Sequence, residues 1–397
     1  MAKIHLFTNY FPPETGAAAF RLSDMVKGLT TANHKVEVFT AMPNYPKGKI
    51  FEKYRGKWFF KETQENITIR RYWIYASHSA KKLPRFLNMF SLAFSTLYSF
   101  FYILKAKPDI IIVQYPPVAL PLLGLLFAKL TKAKFIVNVS DIWPSAIADL
   151  GVMKKGFFYK ILDNIETFLY QNATLCLGQS EEILQHIHSK SKSPTLLYRT
   201  SADCELFSQK QDYQLENNKL KIIYAGVMGI AHSLLQLCKN IDFSTLNAEL
   251  HIYGDGFEKL QIAAFLTQNP NRGIYLHSII PFQEMPQLLQ QHDAALISQK
   301  TKVFGTVPSK MYEALAIGLP VLFNGLGEGA TIIREQKAGY ISNPNNYNEL
   351  IENIETLKNT TIAAREKVGN NGRNAALQFF NRKDFVLRLV KKITEIE

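Results

Sequence analysis

Short apolar runs alternate with helical patterns along almost the whole chain, and that alternation leaves little choice of architecture. Ile4-His5-Leu6-Phe7 is followed by a turn, a helical pattern carrying Phe20, Leu22, Met25 and Leu29, and a second apolar run over residues 34–40. Continuous runs of this length, separated by amphipathic helices, are what a parallel sheet covered on both faces requires. Residues 109–113, 135–140 and 174–177 continue the pattern, and Ser180 is placed to cap a further helix. The periodicity stops between residues 200 and 218, where Ser201, Asp203, Gln209, Gln211, Asp212, Glu216, Asn217 and Asn218 read as a polar linker. It restarts at residues 222–229 as a strand running into a glycine turn, with a helix from about His232. Residues 250–256 repeat it, and strands follow near 274–276, 294–297 and 321–323. A chain of 397 residues exceeds one ordinary core. The expectation is an α/β protein of two doubly wound, Rossmann-like domains, residues 1–200 and 219–380, with a linker at 201–218 and a long amphipathic helix at 381–397.

Within the second domain, the stretch Phe304-Gly305-Thr306-Val307-Pro308-Ser309-Lys310-Met311-Tyr312-Glu313 predicts a loop opening a short helix. Pro308 suits the first helical turn, and Gly318 with Pro320 ends the helix before a strand. A helix start offers unpaired N–H groups and the positive end of a dipole, and Ser309 and Lys310 add a hydroxyl and a cation there. That combination seats a phosphate. Glu313, three residues on, lies on nearly the same face and can accept two hydrogen bonds from a vicinal diol. Phosphate and ribose side by side point to a nucleotide; the alternative is a solvated Lys–Glu pair of about 0.3 kcal/mol.

Charge separates the two halves. Residues 1–200 hold 26 Lys and Arg against 13 Asp and Glu, whereas residues 201–397 hold 20 of each. The basic surplus of the first half suits a polyanion or an anionic membrane surface. Two stretches there favour a membrane. Residues 42–62 read as a loop in which cations alternate with aromatic residues, with Arg55, Lys57 and Trp58 facing headgroups. Residues 86–104 form an uncharged run between Lys81, Lys82, Arg85 and Lys105, Lys107, with Ser91, Ser95 and Ser99 as one small polar stripe. A strand follows that run immediately, so it reads as a core helix or an interfacial one and not as a span. The run at residues 4–7 is too short for a signal peptide, which predicts a cytoplasmic protein. Cys176, Cys204 and Cys238 and the nine histidines show no metal-ligand spacing. Despite a basic composition, no nucleic-acid recognition motif is present.

Asn9-Tyr10-Phe11-Pro12-Pro13-Glu14-Thr15-Gly16, Pro43-Asn44-Tyr45-Pro46, Asp141-Ile142-Trp143-Pro144, Tyr224-Ala225-Gly226 and Thr306-Val307-Pro308-Ser309-Lys310 with Glu313 together resemble the family-4 retaining glycosyltransferases of the O-antigen or capsule type, those using deoxy-amino sugars such as N-acetylfucosamine. The resemblance covers nearly the whole chain. It implies the GT-B fold, two Rossmann-like domains facing a cleft, with the last helix returning to the N-terminal, acceptor-binding domain. It implies a UDP-sugar donor, a polyprenyl-diphosphate-linked saccharide as acceptor, no cofactor, and a place on the cytoplasmic face of the inner membrane. By the same resemblance Glu313 would hold the ribose. Thr306, Pro308, Ser309 and Lys310 would meet the diphosphate, and the Gly226–Gly229 turn would complete that seat. Gly254 and Gly256 would also bind the donor, and the backbone at Ile280 and Pro281, after their turn, would contact the base. Glu14, Thr15, Gly16 and Asn44 would face the acceptor or the diphosphate, while Lys310 and Asp141 would be catalytic. Gly305 stands where many members carry a first glutamate. Arg199-Thr200 replaces the usual Asn-Gly, no arginine follows Gly229, and Lys239 is too far along to substitute, which makes Arg199 a secondary cation. Two alternatives stay open: a UDP-sugar epimerase on the same fold, which would not need a membrane-facing basic half, and a sugar-nucleotide-binding protein without transfer activity, which Gly305 and the missing arginine would suit.

Overall fold

The computed structural model describes residues 1–45, 48–77, 82–149, 153–216 and 219–397, so Pro46, Lys47, Lys81, Asn217 and Asn218 lie outside the described residues. The chain forms two compact units. One comprises residues 1–200 with 384–397, the other residues 201–383.

The first unit is built on eight strands: β1 (Lys3–Thr8), β2 (Lys35–Ala41), β3 (Phe59–Gln64), β4 (Ile67–Tyr72), β5 (Ile110–Tyr115), β6 (Lys134–Val139), β7 (Leu175–Gly178) and β8 (Thr195–Leu197). Their order is β3-β4-β2-β1-β5-β6-β7-β8, and every pairing is parallel except β3 with β4. Because side chains alternate across a strand, Ile111 and Val113 enter one core with Phe127 and Leu123, while Ile110 and Ile112 enter the opposite one with Leu22, Met25, Phe385, Leu389 and Ile393. The last three lie on the C-terminal helix Arg382–Ile396, which thus packs on the first unit. Gly28 permits the approach, since a Cβ there would meet Val386 Cγ1 at 2.1 Å.

The second unit holds β9 (Leu220–Ala225), β10 (Ala248–Tyr253), β11 (Ile274–His277), β12 (Ala294–Ser298), β13 (Val321–Asn324) and β14 (Gly339–Ser342), all parallel, in the order β11-β10-β9-β12-β13-β14. The order reverses between β9 and β12. In an open parallel sheet such a reversal leaves a crevice at the carboxyl ends of the two strands, because the loops after them diverge to opposite faces.

Three readings change. Residues 201–216 are not a free linker: Ala202, Cys204, Phe207 and Tyr213 are buried, Lys210 N donates to Ile317 O at 2.7 Å and Tyr213 Oη to Gly318 O at 2.9 Å. Gln211, Asp212 and Glu216 beside them are exposed, which hides the packing from a composition count. Part of the expected loop at 42–62 is the edge strand β3, paired residue for residue with β4. The run at 86–104 is not one helix. It folds as Lys82–Thr96 and Phe100–Ala106 with a tighter turn at Leu97–Ser99 between them. Its serine stripe points inward: Ser91 Oγ accepts from Tyr75 N at 2.9 Å, Ser95 Oγ donates to Trp73 O at 2.6 Å, and Ser99 Oγ shares a proton with Tyr72 Oη at 2.6 Å. The small polar face is therefore committed to the end of β4, and the aromatic face is left outside.

Candidate active site

The loop after β12 leads into the helix Ser309–Ile317. Pro308 is its N-cap, in extended conformation, and among the described residues no side chain caps the first turn, in which Met311 N donates to Pro308 O at 3.1 Å. Gly318 closes the helix in the left-handed region at φ 79°, as its place before Pro320 predicts. The helix start faces the crevice between β9 and β12. Lys310 reaches across it: its Nζ lies 3.8 Å from the centre of the Tyr224 ring at the end of β9. A Cβ on Gly226 would come within 2.8 Å of that nitrogen. Gly226, at φ 144°, therefore makes room for the ammonium. Tyr224 is held in place by its hydroxyl, which donates to Val227 O at 2.6 Å.

The ammonium itself is buried and has no hydrogen-bond partner among the described residues. Burial is costly for an ammonium without an acceptor, and it pushes the Lys310 pKa down to about 7 even though Glu313 pulls the other way. Glu313 is driven up to about 7, again by burial, against the opposing pull of Lys310 and Arg382. His232 completes the cluster. Its Nδ1 lies 3.1 Å from Ser298 O, and burial together with the Lys310 charge brings its pKa down to about 4, so it is neutral near pH 7. Gln299 Oε1, in the loop after β12, is a further buried oxygen without a partner among the described residues. Orphaned polar atoms are rare in folded interiors, and two at one sheet reversal mark a place where a polar ligand supplies the missing bonds.

The remaining glycines act differently. A Cβ on Gly254 would fall 2.0 Å from Gly226 O, and one on Gly256 2.5 Å from Met228 O. They let the loop after β10 lie against the loop after β9, joined by Gly226 N to Tyr253 O at 2.9 Å and Met228 N to Asp255 O at 2.8 Å. The helix after Gly229 starts at Leu234, and Glu258 Oε2 already accepts from Leu234 N at 3.0 Å. That helix start is occupied by the protein's own carboxylate. Ile280 and Pro281 lie in the loop after β11, also at a carboxyl end.

In the first unit Glu14 is turned inward, a correction to its expected acceptor-facing role. Its carboxylate accepts from Phe11 N at 3.2 Å, Asn44 N at 2.8 Å and Tyr45 N at 2.9 Å, tying the loop after β1 to the loop after β2. Asn44 is also buried, with Nδ2 on Met42 O. A carboxylate bonded to three backbone amides has little capacity left for a ligand, which is why the motif spacing misleads here. Thr15 is exposed, and Gly16 caps the helix Ala17–Thr31 beneath the Tyr45 ring. Asp141 follows β6. Its neighbour Ser140 is held by the buried Arg21, whose guanidinium donates to Ser140 Oγ at 2.6 Å and to Gln179 Oε1. Arg199 is buried, 3.9 Å from Glu181.

Residues 207–375 match the model of glycosyl transferases group 1, and residues 16–195 that of the glycosyl transferase 4-like domain. Each match falls within one of the two units. The chain is a glycosyltransferase. It is 26% identical over 328 residues to WcaI of Escherichia coli strain K12, a protein bearing the name of a colanic acid biosynthesis glycosyl transferase, with 78% of this chain and 80% of WcaI covered. Among solved structures it resembles the sucrose-phosphate synthase of Thermosynechococcus elongatus, at 15% identity and TM-score 0.77, over 100% of this chain and 99% of the other. It also resembles Anabaena HepE in complex with UDP and glucose, at 14% identity and TM-score 0.68, over the full length of both. The fold is GT-B, as the motifs imply, and the family-4 resemblance holds at that level. Sequence motifs placed Ser309, Lys310 and Glu313 of this glycosyltransferase on one helix. They did not single out Tyr224 as the seat of the Lys310 ammonium, nor His232 and Gln299. Only the strand ending at Tyr224-Ala225-Gly226, running into the turn before His232, pointed to that place.

Proposed function

We propose that this glycosyltransferase moves a sugar, of the deoxy-amino type, with retention of anomeric configuration, from a UDP-sugar to a polyprenyl-diphosphate-linked saccharide in surface-polysaccharide assembly. It does so at the cytoplasmic face of the inner membrane. The observation that carries the reading is the Lys310 ammonium: buried, without a hydrogen-bond partner among the described residues, beside a helix start that has no side-chain cap and at the sheet reversal. A diphosphate placed there would supply its acceptors and take N–H bonds from the first turn. During transfer the bond between the sugar C1 and the UDP oxygen breaks while C1 bonds to the acceptor oxygen. The acceptor's proton leaves to a phosphate oxygen of the donor. Negative charge grows on the departing UDP, and a fixed cation there stabilises the transition state more than the ground state. Glu313, as carboxylate, accepts from the ribose hydroxyls. Asp141 would orient the acceptor hydroxyl from the first unit.

UDP release from a panel of UDP-sugars, with and without membranes containing polyprenyl-diphosphate-linked saccharide, tests the reading. Release that requires those membranes is the expected result and names the donor. A change in the sugar without acceptor would favour an epimerase, and UDP binding without turnover a binding protein. Glu313→Ala is expected to weaken UDP binding by about 1.5–3 kcal/mol, the scale of hydrogen bonds to a charged group. Calorimetric titration checks it, and unchanged UDP affinity would remove Glu313 from the ribose.

A further inference from the structure

An open cavity of about 390 Å³ lies in the first unit between the turn at Gly48 and Lys49 and the segment 73–76 that follows β4. Two cations line it, Lys49 and Arg55, both exposed, and neither forms an ion pair among the described residues. Its aromatic wall is Trp73 and Tyr75.

That wall continues into a bare aromatic face. Trp73 stacks on Trp58 at 5.4 Å between ring centres, and Trp58 meets Phe94 edge-on at 6.4 Å. Phe94, Tyr98 and Phe101, on the two helices after the cavity and the turn that joins them, are 65%, 66% and 83% exposed. A monomer rarely leaves aromatic groups of that size side by side in water. The expected membrane loop and the expected membrane helix thus form one surface beside one basic cavity, joined by the contact of Trp58 with Phe94.

We propose that this cavity takes the phosphate of an anionic lipid headgroup from a bilayer, while the aromatic face beside it enters the headgroup and acyl boundary. The occupant follows from complementarity. Lys49 and Arg55 are unpaired donors for a phosphate, tryptophan and tyrosine favour the interface, and a helix lying in the membrane plane presents an apolar face flanked by cations. The inward serine stripe fixes which face is offered. This deepens the reading of a membrane-surface transferase and rests on it for its purpose, but the docking itself needs no acceptor.

Co-sedimentation of the full chain with vesicles of phosphatidylcholine, with and without phosphatidylglycerol, tests the proposal. The wild type is expected to bind the phosphatidylglycerol vesicles more tightly. The double variant Lys49→Ser, Arg55→Ser should lose about tenfold or more of that preference. Phe94→Ser with Phe101→Ser should weaken binding to both compositions, and both variants should keep the wild-type affinity for UDP, which reports an intact second unit. Wild-type sedimentation by both variants overturns the proposal. So does a concentration-dependent dimer that the phenylalanine variant abolishes, which would assign the face to a second copy. Vesicle binding by a protein that releases UDP from no donor would leave the docking standing and sink the transferase reading instead.

Discussion

Replacing Lys310 by methionine is expected to lower turnover by about 10²–10³-fold, the usual effect of removing one donor aimed at a developing anion. Methionine keeps the apolar stem on the Tyr224 ring, so the fold is expected to survive, and thermal melting of the variant checks that. Turnover within twofold of wild type would exclude Lys310 from the chemistry. The same residue predicts a pH dependence of UDP binding. Without ligand the ammonium titrates near pH 7, because burial lowers its pKa. A diphosphate beside it restores the charged form, so binding takes up a proton and weakens as pH rises through that value. Glu313 acts in the opposite sense: burial raises its pKa to about 7, and the ribose needs the carboxylate, so binding weakens as pH falls below it. The affinity of the wild type for UDP should therefore peak near neutrality. In Lys310→Met the alkaline limb should vanish while the acid limb remains. Titration of UDP affinity against pH in both proteins decides it, and an alkaline limb that persists in the variant would assign that proton to another group.

Gly254→Ala is expected to cost more than about 4 kcal/mol of stability, the range in which backbone strain and core overlap combine. The added methyl would sit 2.0 Å from Gly226 O, and φ at this position is 135°, a region that alanine rarely adopts. Neither partner can retreat, since Gly226 N is bonded to Tyr253 O in the same contact. The expected measurement is a lower midpoint in denaturant, or failure to fold, with loss of UDP binding following from it. A variant that melts like the wild type yet binds UDP weakly would make Gly254 a direct ligand contact, as the family resemblance implies, and would displace the packing role.

Much of this enzyme is legible in one dimension because its determinants are local. Apolar runs such as residues 4–7 and 222–224 become parallel strands, Ser180 caps its helix through Ile183 N, and Gly318 ends the Ser309 helix in the left-handed region. Each depends on a few adjacent residues, so spacing and residue type are enough. The pairing of Ser309, Lys310 and Glu313 is of the same kind, being three positions on one helix. Tertiary structure decided what depends on distance between segments. Glu14 looked available to a ligand until Asn44 and Tyr45, 30 residues away, were found donating to it. Trp58 and Phe94 became one surface because β4 and the serine stripe bring them together. The resting place of the Lys310 ammonium likewise depends on Tyr224, 86 residues earlier, which reaches it only because β9 and β12 are neighbours at the point where the sheet order reverses. Sequence periodicity specifies which side of an element is buried; which partner meets that side is set by strand order, and strand order is a property of the whole sheet.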